Sequence, residues 1–136
     1  MQKLKELLIF SQRVAERMEP EEFSGMISIR GPNMQVALQD GWEPLLILEF
    51  NDIVRPFSNF VAFNERHAHA IISWLDSNLS SLDTLMIHCE QGVSRSKAVG
   101  MFVQEYYASH LPKLKNADRY NTLVYSTLKR CMNKEV

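Results

Sequence analysis

Nine consecutive residues, His88-Cys89-Glu90-Gln91-Gly92-Val93-Ser94-Arg95-Ser96, bring a thiol, a guanidinium and two hydroxyls together on a short length of chain. An apolar run precedes them and a helical pattern follows. The segment is therefore predicted to join a strand to a helix at the edge where open parallel sheets bind ligands. A loop that opens into a helix aims several backbone N–H groups at one point, and the helix dipole adds partial positive charge there, so an oxyanion can be held without a metal. Gly92 allows a tight curl. Arg95 offers a planar fork for two phosphate oxygens, and charge-assisted bonds of this kind are about twice as strong as neutral ones.

Cys89 sits at the mouth of this cradle, a setting that lowers a thiol pKa from about 8.5 to roughly 3.5–7.5 and makes it a nucleophile at neutral pH. The chemistry that follows is in-line attack on phosphorus, giving a cysteinyl-phosphate that water later hydrolyses. Glu90, Gln91, Gly92, Val93, Ser94 and Arg95 form the expected phosphate-binding loop. Ser94 is expected to fix that loop, and Ser96 to donate a hydrogen bond to the Cys89 sulfur as it leaves. His88 reads as a buried histidine whose ring bonds the backbone and steadies the loop.

The elements that must hold this segment alternate between β-type runs and helical patterns, the signature of an α/β domain with a mainly parallel sheet. Strands are predicted at Leu7–Phe10, Met26–Ile29, Leu45–Phe50 and Leu85–His88. Ser11 caps a short helix with Val14, Ala15 and Met18 on one face, which Pro20 interrupts. The turns Gly31-Pro32-Asn33 and Asp40-Gly41 bracket a segment of no clear type. Asn64 caps a helix with Ala68, Ile71, Ile72, Leu75 and Leu79 at helical spacing, ending near Ser80-Ser81. A further helix starts at about Arg95 and buries Val99, Phe102, Val103 and Tyr106. The last begins near Asn116 and turns Tyr120, Leu123, Val124, Leu128 and Cys131 inward.

The chain of 136 residues and its 46% hydrophobic and 23% charged composition suit one globular domain spanning residues 1–136, with neither disordered nor fibrous character. A formal charge of −1 supplies no broad positive field for nucleic acid. Two isolated cysteines are too few for a disulfide framework, and Met1 leads into polar QKLKE, so a reducing cytoplasmic setting is expected. No apolar run approaches the roughly 18–20 residues of a bilayer crossing. His67 and His69, two apart on a helix, face different directions and have no carboxylate or cysteine cluster to complete a metal site. Cys131 reads as core.

The motif HCEQGVSRS resembles the HC-x5-R-S/T signature of the cysteine-dependent protein tyrosine phosphatases, and its G-x-S-R-S ending is most similar to the dual-specificity branch. The resemblance implies a three-layer α/β sandwich, with a central, mainly parallel sheet of about four or five strands flanked by helices. It implies a phosphatase without cofactor or metal, acting on phosphorylated proteins or small phosphoesters. It also implies a general acid upstream of the cysteine. Asp40 lies in a turn, Asp76 within a helix and Asp83 at the far end of the fourth strand, which leaves Asp52. That residue follows the third strand, and its plain alternative is a turn cap before Pro56. By the same resemblance Asn116 would brace the cradle, although it also reads as a helix N-cap. Together the expected catalytic set is Cys89, Arg95, Asp52 and Ser96, with His88 and Asn116 supporting.

The loop interior holds no lysine, which argues against highly anionic inositol polyphosphates and leaves phosphotyrosine, phosphoserine or phosphothreonine, or a small phosphoester. The short chain leaves little room for a deep phosphotyrosine slot, so a permissive pocket is implied. Two rivals share the cradle. A rhodanese-like sulfurtransferase or arsenate reductase would need neither Asp52 nor Ser96, and a non-catalytic phosphoprotein-binding module would keep the loop without turnover.

Overall fold

Four short runs rich in Leu, Ile and Met become the strands of a single parallel sheet in the computed structural model, which describes residues 3–115 and 118–134. The elements are β1 (Glu6–Ser11), α1 (Gln12–Ala15), β2 (Ser24–Arg30), β3 (Leu45–Glu49), α2 (Glu65–Asn78), β4 (Thr84–Cys89), α3 (Arg95–Tyr106) and α4 (Thr122–Lys134), with a 3₁₀ turn at Leu79–Ser81. The strand order is β1-β4-β2-β3, every neighbouring pair parallel. The two central strands, β4 and β2, are buried almost throughout, as parallel strands covered on both faces must be.

Alternation along these strands divides the core. Ile27, Ile29, Leu85, Ile87 and Cys89 belong to a large cluster with residues of α2, α3 and α4, such as Ile71, Phe102 and Leu128. Met26 and Met86 join Ala15 and Trp42 in a smaller cluster, to which Leu38 adds. The layer on that side is thin: the four-residue α1 and the irregular chain around Leu38 and Trp42, the stretch the sequence could not type. So short a helix buries only Ala15, and Val14, expected inward, is 40% exposed.

The helix starts follow their caps. Asn64 Oδ1 accepts the Arg66 N–H at 2.9 Å, and the Asn64 N–H donates back to His67 Nδ1 at 3.0 Å. This is a reciprocal box in which histidine takes the usual place of glutamate. The last helix begins at Thr122, not near Asn116, because the Asn121 side chain accepts the Val124 N–H at 3.0 Å and so sets the first turn. Tyr120 lies before that turn, its ring 5.5 Å from Tyr125 edge to face. Asn116 is outside the described residues.

Because all four strands run the same way, their C-terminal ends share one edge, and it carries Ser11, Arg30, Glu49 and Cys89. Beyond β3 the Phe50 N–H still bonds Arg30 O at 3.0 Å, and the chain then swings out through Asp52. Asn51 closes that excursion at its base: its N–H donates to Val61 O and its Oδ1 accepts the Val61 N–H, both at 2.7 Å.

Candidate active site

Cys89 is the last residue of β4 and is 2% exposed. One group of the following loop and one of the helix after it converge on its sulfur. The Gly92 N–H donates to Sγ at 3.2 Å, and Ser96 Oγ lies 3.1 Å from Sγ. Gly92 has φ +75°, and a Cβ there would come within 2.7 Å of the backbone of Phe10 and Ser11. Only glycine lets the loop lie this close against the end of β1. The Gln12 N–H, donating to Glu90 O at 3.1 Å, ties the loop to the start of α1.

Arg95 opens α3 and is 6% exposed. Its Nη1 donates to Phe50 O at 2.8 Å, which anchors the guanidinium to the end of β3, while Nε–H is buried with no partner among the described residues. An unpaired buried donor ordinarily costs about 1–3 kcal/mol, more on a charged group, so such a site is suited to an anion. Glu90, Gln91 and Val93 are exposed.

Ser94 Oγ donates to Asp52 Oδ1 at 2.9 Å, so the carboxylate after β3 does meet the loop after β4. Asn121 joins them. Its Nδ2 donates to the same Oδ1 at 2.8 Å and to Ile53 O at 3.1 Å, and its N–H donates to Ser94 O at 3.2 Å. One asparagine thus caps α4, orients Asp52 and fastens the cysteine loop. Sequence periodicity does not find it, because the pattern places the helix start near Asn116, six residues before Thr122. The available signal was an asparagine just before a clean helical run, the N-cap pattern itself.

Beneath the loop, His88 is fully buried, and its ring bridges two strands. The Arg30 Nε–H donates to Ser28 Oγ at 3.0 Å, the Ser28 hydroxyl donates to His88 Nε2 at 2.6 Å, and the His88 Nδ1–H donates to Cys89 O at 3.3 Å. Burial above all pushes this imidazole below its ordinary range and keeps it neutral; the Cys89 carbonyl pulls the other way, and the positive charge of Arg30 adds to the lowering. Ser28 and Arg30 were not singled out from sequence. A lone serine within the apolar run Met-Ile-Ser-Ile was the clue.

His67 packs its ring 5.2 Å from Phe50 and 5.4 Å from Phe63. Cys131 is buried in the large core. Among the described residues there is no cluster of three or more His, Cys, Asp or Glu that could hold a metal ion, and no helix is long and apolar enough to cross a membrane.

The four-stranded all-parallel sheet flanked by helices is a tyrosine phosphatase-like α/β fold, as a structural likeness shows. Among solved structures the chain is similar to a human tyrosine phosphatase-like serine/threonine/tyrosine-interacting protein. The TM-score is 0.62 at 16% sequence identity, over 96% of this chain and 98% of that one. This likeness is one of fold. No sequence-family description matches the chain, and no curated protein sequence does.

Proposed function

We propose that the chain is a cysteine-dependent phosphatase that hydrolyses phosphomonoesters, those of phosphotyrosine and of phosphoserine or phosphothreonine in proteins included, without metal or cofactor. The observation that carries this reading is the convergence of the Gly92 N–H and Ser96 Oγ on Cys89 Sγ beside a buried guanidinium whose Nε–H lacks a partner. The Cys89 thiolate attacks phosphorus, the P–O bond to the leaving group breaks, and Asp52 gives that oxygen its proton. In the second half, Asp52 takes a proton from water, the water oxygen attacks phosphorus, and the P–S bond breaks to return the thiolate, with Ser96 donating to it. Asp52 Oδ1 is held by Ser94 and Asn121, which leaves Oδ2 to carry the transferred proton. Positioning and electrostatics suffice because charge in the phosphoryl transition state spreads over three oxygens that the loop faces. The expected setting is the reducing cytosol, where Cys89 and Cys131 remain thiols.

A second reading, a phosphoprotein-binding module, draws support from the fold neighbour, whose name calls it an interacting protein. One assay separates these readings and the sulfur-transfer alternative. The purified chain is given p-nitrophenyl phosphate, a phosphotyrosine peptide and, separately, thiosulfate. Phosphate release that disappears in Cys89→Ser supports the phosphatase. Tight phosphopeptide binding with no release supports the module, and a persulfide on Cys89 with no phosphate release supports sulfur transfer.

A further inference from the structure

A neutral imidazole carries its proton on one ring nitrogen and not on the other, and the partners of the ring decide which. Burial, with the positive charges of Arg30 and Arg95, keeps His88 neutral against the pull of the Cys89 carbonyl and of Glu16. An arginine side chain can only donate, so Ser28 Oγ accepts the Arg30 Nε–H at 3.0 Å. The hydroxyl proton then goes to the remaining partner of Ser28 among the described residues, His88 Nε2 at 2.6 Å. Nε2 is thereby the bare nitrogen, and Nδ1–H faces Cys89 O at 3.3 Å. The opposite tautomer carries two faults. The Ser28 hydroxyl, fully buried, would have no acceptor, and the Nδ1 lone pair would face a carbonyl oxygen. A buried polar group without a partner bears its full desolvation penalty, so both faults select against that tautomer.

We infer that Arg30 is a positioning residue for the cysteine loop: acting through Ser28 and His88, it holds the ring proton on Nδ1 and so pins the Cys89 carbonyl from which the loop departs. The Cys89–Glu90 peptide is trans, so its N–H points opposite to that carbonyl and turns with it. The next carbonyl, Glu90 O, is held by the Gln12 N–H, and two residues further on the Gly92 N–H meets the sulfur. A tilt of the first peptide plane therefore carries through to the donor at Sγ. Charge adds to geometry. A carbonyl that accepts from Nδ1–H presents less negative potential to the sulfur of its own residue, and the cation at the far end of the chain polarises each bond in the same direction. The inference rests on the reading of Cys89 as the phosphatase nucleophile.

The test uses the full chain at pH 7, well below its melting temperature, and no phosphoester. Two-bond ¹H–¹⁵N spectra of the native protein should show His88 Nδ1 as the protonated nitrogen and Nε2 as the bare one. Alkylation of Cys89 by iodoacetamide, followed by mass spectrometry, then reports the nucleophile itself. Arg30→Met, which removes the donor, should slow alkylation about tenfold, the scale for losing one bond to a charged group. Arg30→Lys, which keeps a donor-only cation, should restore most of the native rate. A purely structural arginine would lower the melting temperature in Arg30→Met and leave alkylation of the folded protein unchanged, and that result overturns the proposal. So does a His88 proton on Nε2 in the native protein, a measurement that needs no variant to fold, or an Arg30→Lys rate as low as that of Arg30→Met. Phosphate release is measured separately. A chain that meets these expectations and hydrolyses no phosphoester loses the phosphatase reading, whereas phosphate release by a chain whose alkylation ignores Arg30 loses this inference alone.

Discussion

Asn121 Nδ2 lies 2.8 Å from Asp52 Oδ1 across 69 positions of chain, joining the start of the last helix to the loop that follows the third strand. The contact holds a carboxylate on an exposed excursion in one orientation over the cysteine loop, and the same oxygen also accepts from Ser94. Positioning of this sort, rather than burial, is what gives Asp52 a defined place.

Asp52→Ala should therefore reduce turnover in a manner that depends on the leaving group. General acid catalysis is worth about 10²- to 10⁴-fold where the departing oxygen needs a proton, and little where it does not. Phenyl phosphate should lose activity by that order and p-nitrophenyl phosphate much less, with the difference read from kcat. Asn121→Ser keeps a capping oxygen for α4 but cannot reach Asp52. It should lower the melting temperature only through the lost bonds to Asp52 Oδ1 and Ile53 O, since serine and asparagine cap about equally well, and should reproduce part of the Asp52→Ala pattern. Equal losses on both substrates would remove Asp52 from the acid role.

Ser96 lies 3.1 Å from the Cys89 sulfur, on the first turn of α3 and fully buried. A hydrogen bond to a charged group is worth about 1.5–3 kcal/mol, so Ser96→Ala should slow hydrolysis of the cysteinyl-phosphate by roughly tenfold to a hundredfold. The first half of the reaction needs that bond less. Stopped-flow traces with p-nitrophenyl phosphate should then show a burst of nitrophenol close to one equivalent, followed by a slow steady rate. A single slow phase without a burst would place Ser96 elsewhere in the reaction.

The sheet was legible because parallel, buried strands must be apolar runs, and the direction of β3 and β4 followed from the alternation of strands and helices. That was enough to bring Asp52 to the edge that carries Cys89. The bracing was not legible. Asn121 acts through its side chain on a residue far away in sequence, and nothing local separates such an asparagine from any helix cap. The Arg30–Ser28–His88 chain was hidden for a related reason: it runs across neighbouring strands, and only the register of β2 against β4 places Ser28 opposite His88.

Gly92 combines φ +75° with a backbone approach that would set a Cβ 2.7 Å from Phe10 C and Ser11 N. Neither strand backbone can move aside cheaply, so Gly92→Ala must displace the loop. A cost of about 1–3 kcal/mol is expected from the conformational strain. The Gly92 N–H would also lose its aim at the Cys89 sulfur, and kcat should fall about 10²-fold, the scale for losing one preorganised donor. Thermal melting and steady-state kinetics measured together check both parts. A variant of native stability and activity would show that the loop can lie off β1 without consequence.

Acid should unfold the protein through two histidines before it does so through carboxylates. His88 is held neutral chiefly by burial, and so is His67, which a bond to the Glu49 carbonyl partly opposes. Both therefore titrate below the value near 6.5 that they take in the unfolded chain. As pH falls below that value, the unfolded chain binds protons that the native state does not, so stability is complete above it and declines toward the lower native values. Protonation of His67 also removes the Nδ1 lone pair that accepts the Asn64 N–H. His67→Gln keeps an acceptor for that N–H, because glutamine serves in the same reciprocal cap, yet it does not titrate. The melting temperature of this variant should fall less steeply than that of the native protein between about pH 7 and 5, the two curves converging at higher pH. Identical slopes would mean that His67 takes up its proton as easily in the folded chain as in the unfolded one.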